Sequence, residues 1–172
     1  MPKNPKDKKM IRKVEKKDIP AITSIYNYYI RESVVTFDTK PVGEKEMENQ
    51  MTAITSAYPY LVEEEEGEVR GYCYIHPWKS REAYRHTAEC TVYLHPSWRG
   101  KGIGRQLLDT LLAEIRQTTD IRVVLSCITL PNEPSVRLHE RAGFRQVSCF
   151  RQVGYKFNRW LDVGDWQLIL DR

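Results

Sequence analysis

The chain lacks a long apolar run. None of its uninterrupted hydrophobic stretches approaches the ~20 residues of a helical membrane span, so a spanning helix is excluded. The opening, Met1-Pro2-Lys3-Asn4-Pro5-Lys6-Asp7-Lys8-Lys9, carries lysines where a signal peptide needs an apolar core; residues 1–9 read as a short solvated basic tail and the cytoplasm as the expected location. Four cysteines occur (Cys73, Cys90, Cys127, Cys149) but no Cys-x-x-Cys pair, which leaves no metal-ligand spacing and no disulfide framework. They read as small buried hydrophobes. Internal repeats and low-complexity linkers are also missing, so residues 10–172 read as one domain, and 41% apolar residues in 172 give it one core. A large excess of one charge is also missing: the net +4 comes partly from the tail and is offset by Glu63-Glu64-Glu65-Glu66. With no basic stripe interleaved with aromatics, neither nucleic acid nor membrane is an expected partner; a small polyanion suits the modest surplus.

What is present is an alternation of strand and helix signals. Met10–Val14 reads as a strand. Asp18 is a candidate N-cap, with Pro20 in the first turn of a helix running to Ile30 through the stripe Ile22, Ile25, Tyr26 and Tyr29. A second helix fits Glu44–Ala57. Tyr60-Leu61-Val62 and Val69–Ile75 flank a hairpin turn at Glu66-Gly67-Glu68. After the segment His76–Tyr84 comes a strand to Leu94, then a helix marked by Ile103, Leu107, Leu108, Leu111, Leu112 and Ile115. Val123–Ile128 is a continuous apolar run of the kind found in buried strands. Pro134 and Gly143 bracket a short helix, and strands near Gln146–Phe150 and Trp166–Leu170 close the chain. The order β-α-α-β-β-β-α-β-α-β-β predicts a mixed sheet with helices on it, in the α/β or α+β class.

The chemistry concentrates at Arg99-Gly100-Lys101-Gly102-Ile103-Gly104, between a strand and a helix. Glycines there leave backbone N–H groups uncovered, and the helix behind adds the positive end of its dipole, which together make an anion cradle. The glycine spacing is wrong for a dinucleotide fingerprint, and no Gly-Lys-Ser/Thr of a Walker loop occurs. Arg99, Lys101 and Arg105 flank the loop and support a phosphate ligand. Alone, this pattern is also compatible with an unliganded turn. Cys90 beside Glu89 is not a nucleophile–base pair, because adjacent strand residues point to opposite faces.

Arg99-x-x-Gly102-x-Gly104 after a strand, Asn132 after the next strand and Gly143-Phe144 after the following helix resemble the GNAT superfamily of acetyl-CoA-dependent N-acetyltransferases. Pro77-Trp78-Lys79, Arg81, Tyr84, Thr87-Ala88-Glu89, Thr91-Val92-Tyr93, the run Leu130–Glu140, Val153-Gly154-Tyr155-Lys156, Trp160–Val163 and Trp166-Gln167-Leu168 are similar to phosphinothricin N-acetyltransferases within it. The match runs from about Ile11 to Leu170. The chain departs from that subfamily in carrying Cys90 where Ser is usual, in its general GNAT-like glycine loop, and at Phe150, Arg151 and Phe157-Asn158-Arg159.

The resemblance implies a GNAT fold, a splayed central sheet flanked by helices, with acetyl-CoA as cosubstrate and no metal. The strand Cys90–Leu94 would splay from its neighbour at a bulge, and backbone groups of Val92, Tyr93 and Leu94 would pair with the pantetheine arm as with an added strand. The loop from Arg99 through Gly100, Lys101, Gly102, Ile103 and Gly104 to Arg105 would hold the pyrophosphate, and Asn132 and Ser135 would also bind the cofactor. A backbone N–H near Leu94 would face the thioester oxygen and stabilise the oxyanion. Glu89 would be the general base: an α-ammonium of pKa ~8 must lose a proton before attack. His139 stands where many GNAT enzymes carry Tyr; it would contact substrate or protonate the leaving group, a task that Tyr93 or a water could take instead. Phe37, Lys79, Arg81, Tyr84, Thr91 and His139 would bind the acceptor, the cations holding its anionic head. Lys79 and Arg81, two apart, would share one side of an extended segment.

The implied reaction is acetyl transfer to the α-amino group of a small amino-acid-like acid such as phosphinothricin, methionine sulfoximine or methionine sulfone, by a homodimer with its C-terminal strands at the interface. A GNAT enzyme for another amine (an amino acid, a polyamine or a peptide) is the alternative. Lys79 and Arg81 argue against a polyamine. A non-catalytic CoA-binding protein is a further alternative, against which Glu89 and His139 argue.

Overall fold

A computed structural model describes residues 9–171, so all of the basic tail but Lys9 lies outside the described residues. Seven strands form one sheet: β1 (Met10–Lys13), β2 (Tyr60–Glu65), β3 (Glu68–Pro77), β4 (Thr87–Leu94), β5 (Val123–Leu130), β6 (Arg145–Lys156) and β7 (Arg159–Ile169). Their spatial order is β1-β2-β3-β4-β5-β7-β6. Every pair is antiparallel except β4 with β5, which are parallel and joined by a crossover helix. The helices are α1 (Ile19–Glu32), α2 (Glu44–Thr55), α3 (Ile103–Thr118) and α4 (Glu133–Arg141). This is the mixed α/β architecture that the sequence implies.

Strand alternation sorts side chains into two cores. Cys73, Ile75, Ala88, Cys90 and Val124 point to one face, where α3 packs with Leu107, Leu108, Leu111 and Ile115. Those four side chains of α3 are wholly buried, each worth about 1.5–3 kcal/mol as an upper bound. Tyr60, Val62 and Tyr72 point to the other face, against Ile22 and Ile25 of α1 and Met47 and Met51 of α2. The β2–β3 turn uses Glu66 (φ 55°) and Gly67 (φ 84°), both left-handed, as a two-residue hairpin loop requires.

Several expectations need correction. Asp18 does precede α1, but its side chain does not cap that helix; its carboxylate turns back to accept from the Glu15 N–H at 2.8 Å and from both Nη atoms of Arg12 at 2.8 Å. The last two strands are much longer than read, 12 and 11 residues, and meet in a turn at Phe157 and Asn158. β6 is broken by register shifts near Val147 and over Arg151–Val153, so its apolar residues do not alternate over a run long enough to read. Cys73 and Cys90 are buried, but Cys127 and Cys149 are exposed although both lie in strands, so strand membership did not mean burial.

Gly71 stands opposite Leu94. An added Cβ there would lie 2.6 Å from Leu94 Cδ2 and 3.1 Å from the Tyr93 carbonyl oxygen. The Leu94 side chain can yield, but the carbonyl moves only if the β3–β4 ladder moves. Gly71→Ala is therefore expected to lower stability by about 1–3 kcal/mol, read as a shift of the urea midpoint at unchanged slope.

Candidate active site

β4 and β5 pair only at Thr87 with Val123, Ala88 with Val124 and Glu89 with Leu125. β4 then stays with β3 as far as Leu94, and β5 stays with β7 as far as Leu130. Beyond Glu89 the two central strands part, and each turns one backbone edge into the wedge. No bulge is needed: β3–β4 pairing runs from Pro77 to Gly71 without a register shift, so the parting comes from β5 following β7. The end of β4 is pinned. The Tyr29 hydroxyl donates to the Leu94 carbonyl at 2.5 Å, and the His95 N–H donates to the Arg70 carbonyl at 2.8 Å.

Because the strands are parallel, their C-terminal ends open on the same edge. β4 leads into the glycine loop. Gly100 (φ 74°) and Gly102 (φ 81°) are left-handed, which accounts for glycine at both. Gly102 caps α3 without a side-chain cap, so the first N–H groups of the helix have no side chain over them. A Cβ added at either glycine meets nothing within 4 Å; the loop is open above. The Lys101 ammonium lies 4.2 Å from the centre of the Trp98 ring, and the Arg70 guanidinium lies 4.5 Å from it. Arg70 is itself held by the fully buried Glu63 and by Glu65. The other two cations are engaged: Arg99 Nε donates to the Pro96 carbonyl at 3.2 Å, and Arg105 donates to Asp109 at 2.6 Å and to the Arg141 carbonyl at 2.8 Å.

Glu89 sits where the parting begins. By alternation it shares its face with Thr91 and Tyr93 and with Tyr74 and His76, which stand opposite on β3. Burial pushes its carboxyl above the usual range; the facing His76 opposes this and the Asp165 charge adds to it. Tyr26 packs edge-on to Tyr93, 5.3 Å between ring centres. The Tyr26 hydroxyl donates to Asp38 at 2.7 Å and lies 2.9 Å from Thr36 Oγ1. This ties the α1–α2 connection, which carries Phe37, to the Glu89 face.

Lys79 lies against aromatic rings, its ammonium 4.2 Å from the Trp78 ring centre and 5.4 Å from that of Tyr84. The segment around it bends at Trp78, Ser80 and Arg81 instead of extending, so the two-residue spacing of Lys79 and Arg81 does not put them on one side of a strand. Asn132 begins α4, its Oδ1 accepting from the Ser135 N–H at 3.3 Å. His139 is the expected site residue that the structure does not bring into the open. It is 4% exposed. Its Nδ1 faces the Ser135 carbonyl at 2.8 Å; a carbonyl only accepts, so the ring proton is on Nδ1. Nε2 then accepts, 3.9 Å from Cys90 Sγ. Burial pushes the imidazole pKa down, so at neutral pH its one N–H is already committed.

Residues 11–164 match the family model described as an acetyltransferase (GNAT) domain. The chain belongs to the GNAT acetyltransferases. Over 157 residues it is 40% identical to phosphinothricin N-acetyltransferase of Streptomyces viridochromogenes, covering 91% of this chain and 85% of that protein. Over 165 residues it is 38% identical to the L-methionine sulfoximine/L-methionine sulfone acetyltransferase of Salmonella typhimurium, covering 94% of each. The solved structure of yncA from Salmonella typhimurium with its cofactor acetyl-CoA superposes with a TM-score of 0.93 at 38% identity, covering 96% of this chain and 95% of that one. In this GNAT acetyltransferase, sequence reasoning found the glycine loop and the strand before it. It read Tyr29 only as part of the α1 stripe and Lys156 only within a motif of the resemblance, and it missed Arg70, whose partners Glu63 and Glu65 lie across the β2–β3 hairpin. No helix among the described residues is long and apolar enough to cross a membrane.

The exposed pair of cysteines gives a check on these faces. Two of the four thiols, the exposed Cys127 and Cys149, should react with an aromatic disulfide reagent in the native protein. Cys73 and Cys90 should react only after denaturation. Four fast thiols in the native protein would overturn the assignment.

Proposed function

We propose that this acetyltransferase moves the acetyl group of acetyl-CoA to the α-amino group of a small amino-acid-like acid, with phosphinothricin, methionine sulfoximine and methionine sulfone as the preferred acceptors. The observation that carries the donor half is the parting of β4 from β5 after Glu89. An extended amide-bearing arm can pair with the exposed edge of β4 over Val92, Tyr93 and Leu94. At the open end, the uncapped start of α3 and the left-handed glycines fit a pyrophosphate. Lys101 and Arg99 supply charge there. Asn132 keeps its amide NH2 for the same ligand while its Oδ1 holds Ser135 in the first turn of α4. The names of the relatives support the acceptor half.

The step balances without a further reactant. Glu89 takes a proton from the acceptor ammonium, directly or through a water. The amine nitrogen attacks the thioester carbon, a C–N bond forms, the C–S bond breaks, and CoA leaves as a thiolate that is then protonated. A backbone N–H near Leu94 stabilises the oxyanion; the Tyr29 and Arg70 contacts hold that end of β4 still. A carboxylate raised by burial is the better base near neutrality. Lys79, Arg81 and Tyr84 hold the anionic head of the acceptor, with Phe37 and Thr91 beside it. His139, with its N–H bound to Ser135, supports Cys90 and α4 from beneath; proton return to the thiolate falls to Tyr93 or a water. One catalytic domain, residues 10–172, acts in the cytoplasm as a homodimer, for which the exposed Phe150, Val153, Tyr155, Phe157 and Trp160 offer an apolar surface.

The test is acetyl-CoA-dependent thiol release with the three named acceptors, the common amino acids, spermidine and a generic peptide. Turnover is expected on the first three above all others. Glu89→Gln should cut kcat by at least about a hundredfold near neutral pH with little change in acetyl-CoA binding, and in the parent enzyme kcat should rise with pH through an ionisation above the ordinary carboxylate range. Activity confined to spermidine or peptide would discard the acceptor assignment; an undiminished Glu89→Gln would remove Glu89 from the chemistry.

Trp98 should matter only for the phosphate end of the donor, because it is what Lys101 and Arg70 rest on. Trp98→Leu is expected to raise KM for acetyl-CoA by about tenfold while leaving kcat/KM for acetyl-pantetheine, which has no pyrophosphate, within about twofold. Equal losses on the two donors would overturn that placement.

A further inference from the structure

Lys156 ends β6 at the β6–β7 turn, far in sequence from the connection between α1 and α2, yet its side chain is buried against that connection. It is 5% exposed, and its ammonium donates to the Thr36 carbonyl at 2.8 Å, its one hydrogen bond among the described residues. Thr36 immediately precedes Phe37. On the opposite side, Tyr26 holds both neighbours of Phe37, with Thr36 Oγ1 at 2.9 Å and Asp38 at 2.7 Å. The backbone that carries Phe37 is therefore fixed from below by Tyr26, which reaches the Glu89 face through Tyr93, and from beyond by Lys156.

The ring of Phe37 is set by a second contact on the same hairpin. Gly154, two residues before Lys156, lies directly under it: an added Cβ would be 2.2 Å from Phe37 Cζ and 2.3 Å from Cε2. No side chain fits between the ring and β6 where the two now touch. Strand alternation puts Gly154 and Lys156 on one face of the hairpin, so glycine and lysine act on the same short connection, one as a floor and one as a hook. Phe37 is 41% exposed, and its free side looks to solvent, where an acceptor would arrive.

We propose that the tip of the β6–β7 hairpin sets acceptor selectivity, Lys156 and Gly154 being positioning residues that fix Phe37 as a wall of the acceptor pocket. This rests on the proposed function, which puts Phe37 in that pocket. It assigns the hairpin a role apart from any subunit interface. It also gives the departures at Phe157-Asn158-Arg159 a consequence: they sit next to Lys156, whose ammonium is 5.1 Å from the Phe157 ring centre. Changes at the tip then alter the acceptor without touching the glycine loop or the β4 edge, which bind the donor.

Gly154→Ala is the sharpest probe. Its new methyl group meets the far end of a half-exposed ring, which can swing outward, and Gly154 has no left-handed φ for alanine to strain. The measurement is kcat/KM for each acceptor of the panel, with KM for acetyl-CoA and Tm alongside. The expected result is a change of at least about tenfold in kcat/KM for the best acceptor and a reordered panel, with KM for acetyl-CoA within about twofold and Tm close to the parent. Lys156→Met should shift the same ranking, and Lys156→Arg should restore part of it. In a Phe37→Ala background, Gly154→Ala should have no further effect, since no ring remains to displace. An unaltered ranking in Gly154→Ala, or an effect of full size that persists without the ring, would overturn the inference while leaving the acetyltransferase reading intact. A parent enzyme that acetylates none of the panel would overturn that reading and this inference together.

Discussion

Pairing between β4 and β5 lasts for three residues, and the shape of the candidate site is set by that short contact. An unpaired strand edge inside a sheet is normally unfavourable, because backbone N–H and C=O groups lose water without gaining partners. Here each strand stays ordered through its outer neighbour, β4 through β3 and β5 through β7. The edge that faces the wedge keeps its hydrogen-bonding capacity unspent. Further contacts stop the free end of β4 from drifting: Gly71 admits Leu94 at close range, Tyr29 takes the Leu94 carbonyl, and Arg70 takes the His95 N–H. The result is an open edge that is rigid, which is what a ligand needs if it is to pair without first ordering its host.

The two faces of the sheet carry different chemistry because they are covered by different helices. Under α3 and α4 the side chains are mostly aliphatic, with Phe144, Trp166 and two thiols among them and one neutral imidazole whose proton is already placed. Where α1 meets the sheet the layer is rich in tyrosine: the rings of Tyr26 and Tyr29 on α1 and of Tyr72 on β3 each lie with centres 5.2–5.6 Å from that of Tyr93. Such rings exclude water as an apolar core does, yet they offer hydroxyls at their rims. A carboxylate at the border of that layer, as Glu89 is, loses enough solvent to become a stronger base and keeps enough to stay accessible.

Much of this was legible in the chain. The helices around Ile22 and Leu107 announce themselves by spacing, and the glycine loop by residues that only left-handed backbone explains. Glu89 is a different case: its strand could be read, but its proposed role came from family resemblance. The parts that escaped share a physical cause. Lys156 bonding to Thr36, Gly154 beneath Phe37, and Arg70 held by Glu63 and Glu65 are contacts of side chains with remote or irregular partners. No periodicity encodes them. The β6–β7 turn was hidden for a related reason: Phe157 and Asn158 both adopt left-handed φ, of 51° and 57°, where a hairpin of this kind usually announces itself with Asn-Gly. His139 is a further case that spacing does not encode: its expected role came from the resemblance, and its burial on α4, with Nε2 3.9 Å from Cys90 Sγ, is set by packing.

The Arg70 cluster links the sheet to the donor end of the wedge. Burying Glu63 completely is costly unless its charge is met, and Arg70 meets it through two hydrogen bonds on a strand edge next to Leu94. With its charge satisfied on that side, the guanidinium is free to stack on Trp98, and Trp98 carries Lys101. A buried acid in β2 thus fixes the attitude of a cation in the anion loop some forty residues on, with no direct contact between them. The run of four glutamates, which in the sequence looks like a solvated stretch, is in its first member an anchor. The geometry of the glycine loop is therefore set by the sheet beneath it, just as the position of Phe37 at the proposed acceptor end is set by a hairpin beyond it. Each end of the wedge has its own remote support, and the two supports share no residue, so the ends are free to vary independently.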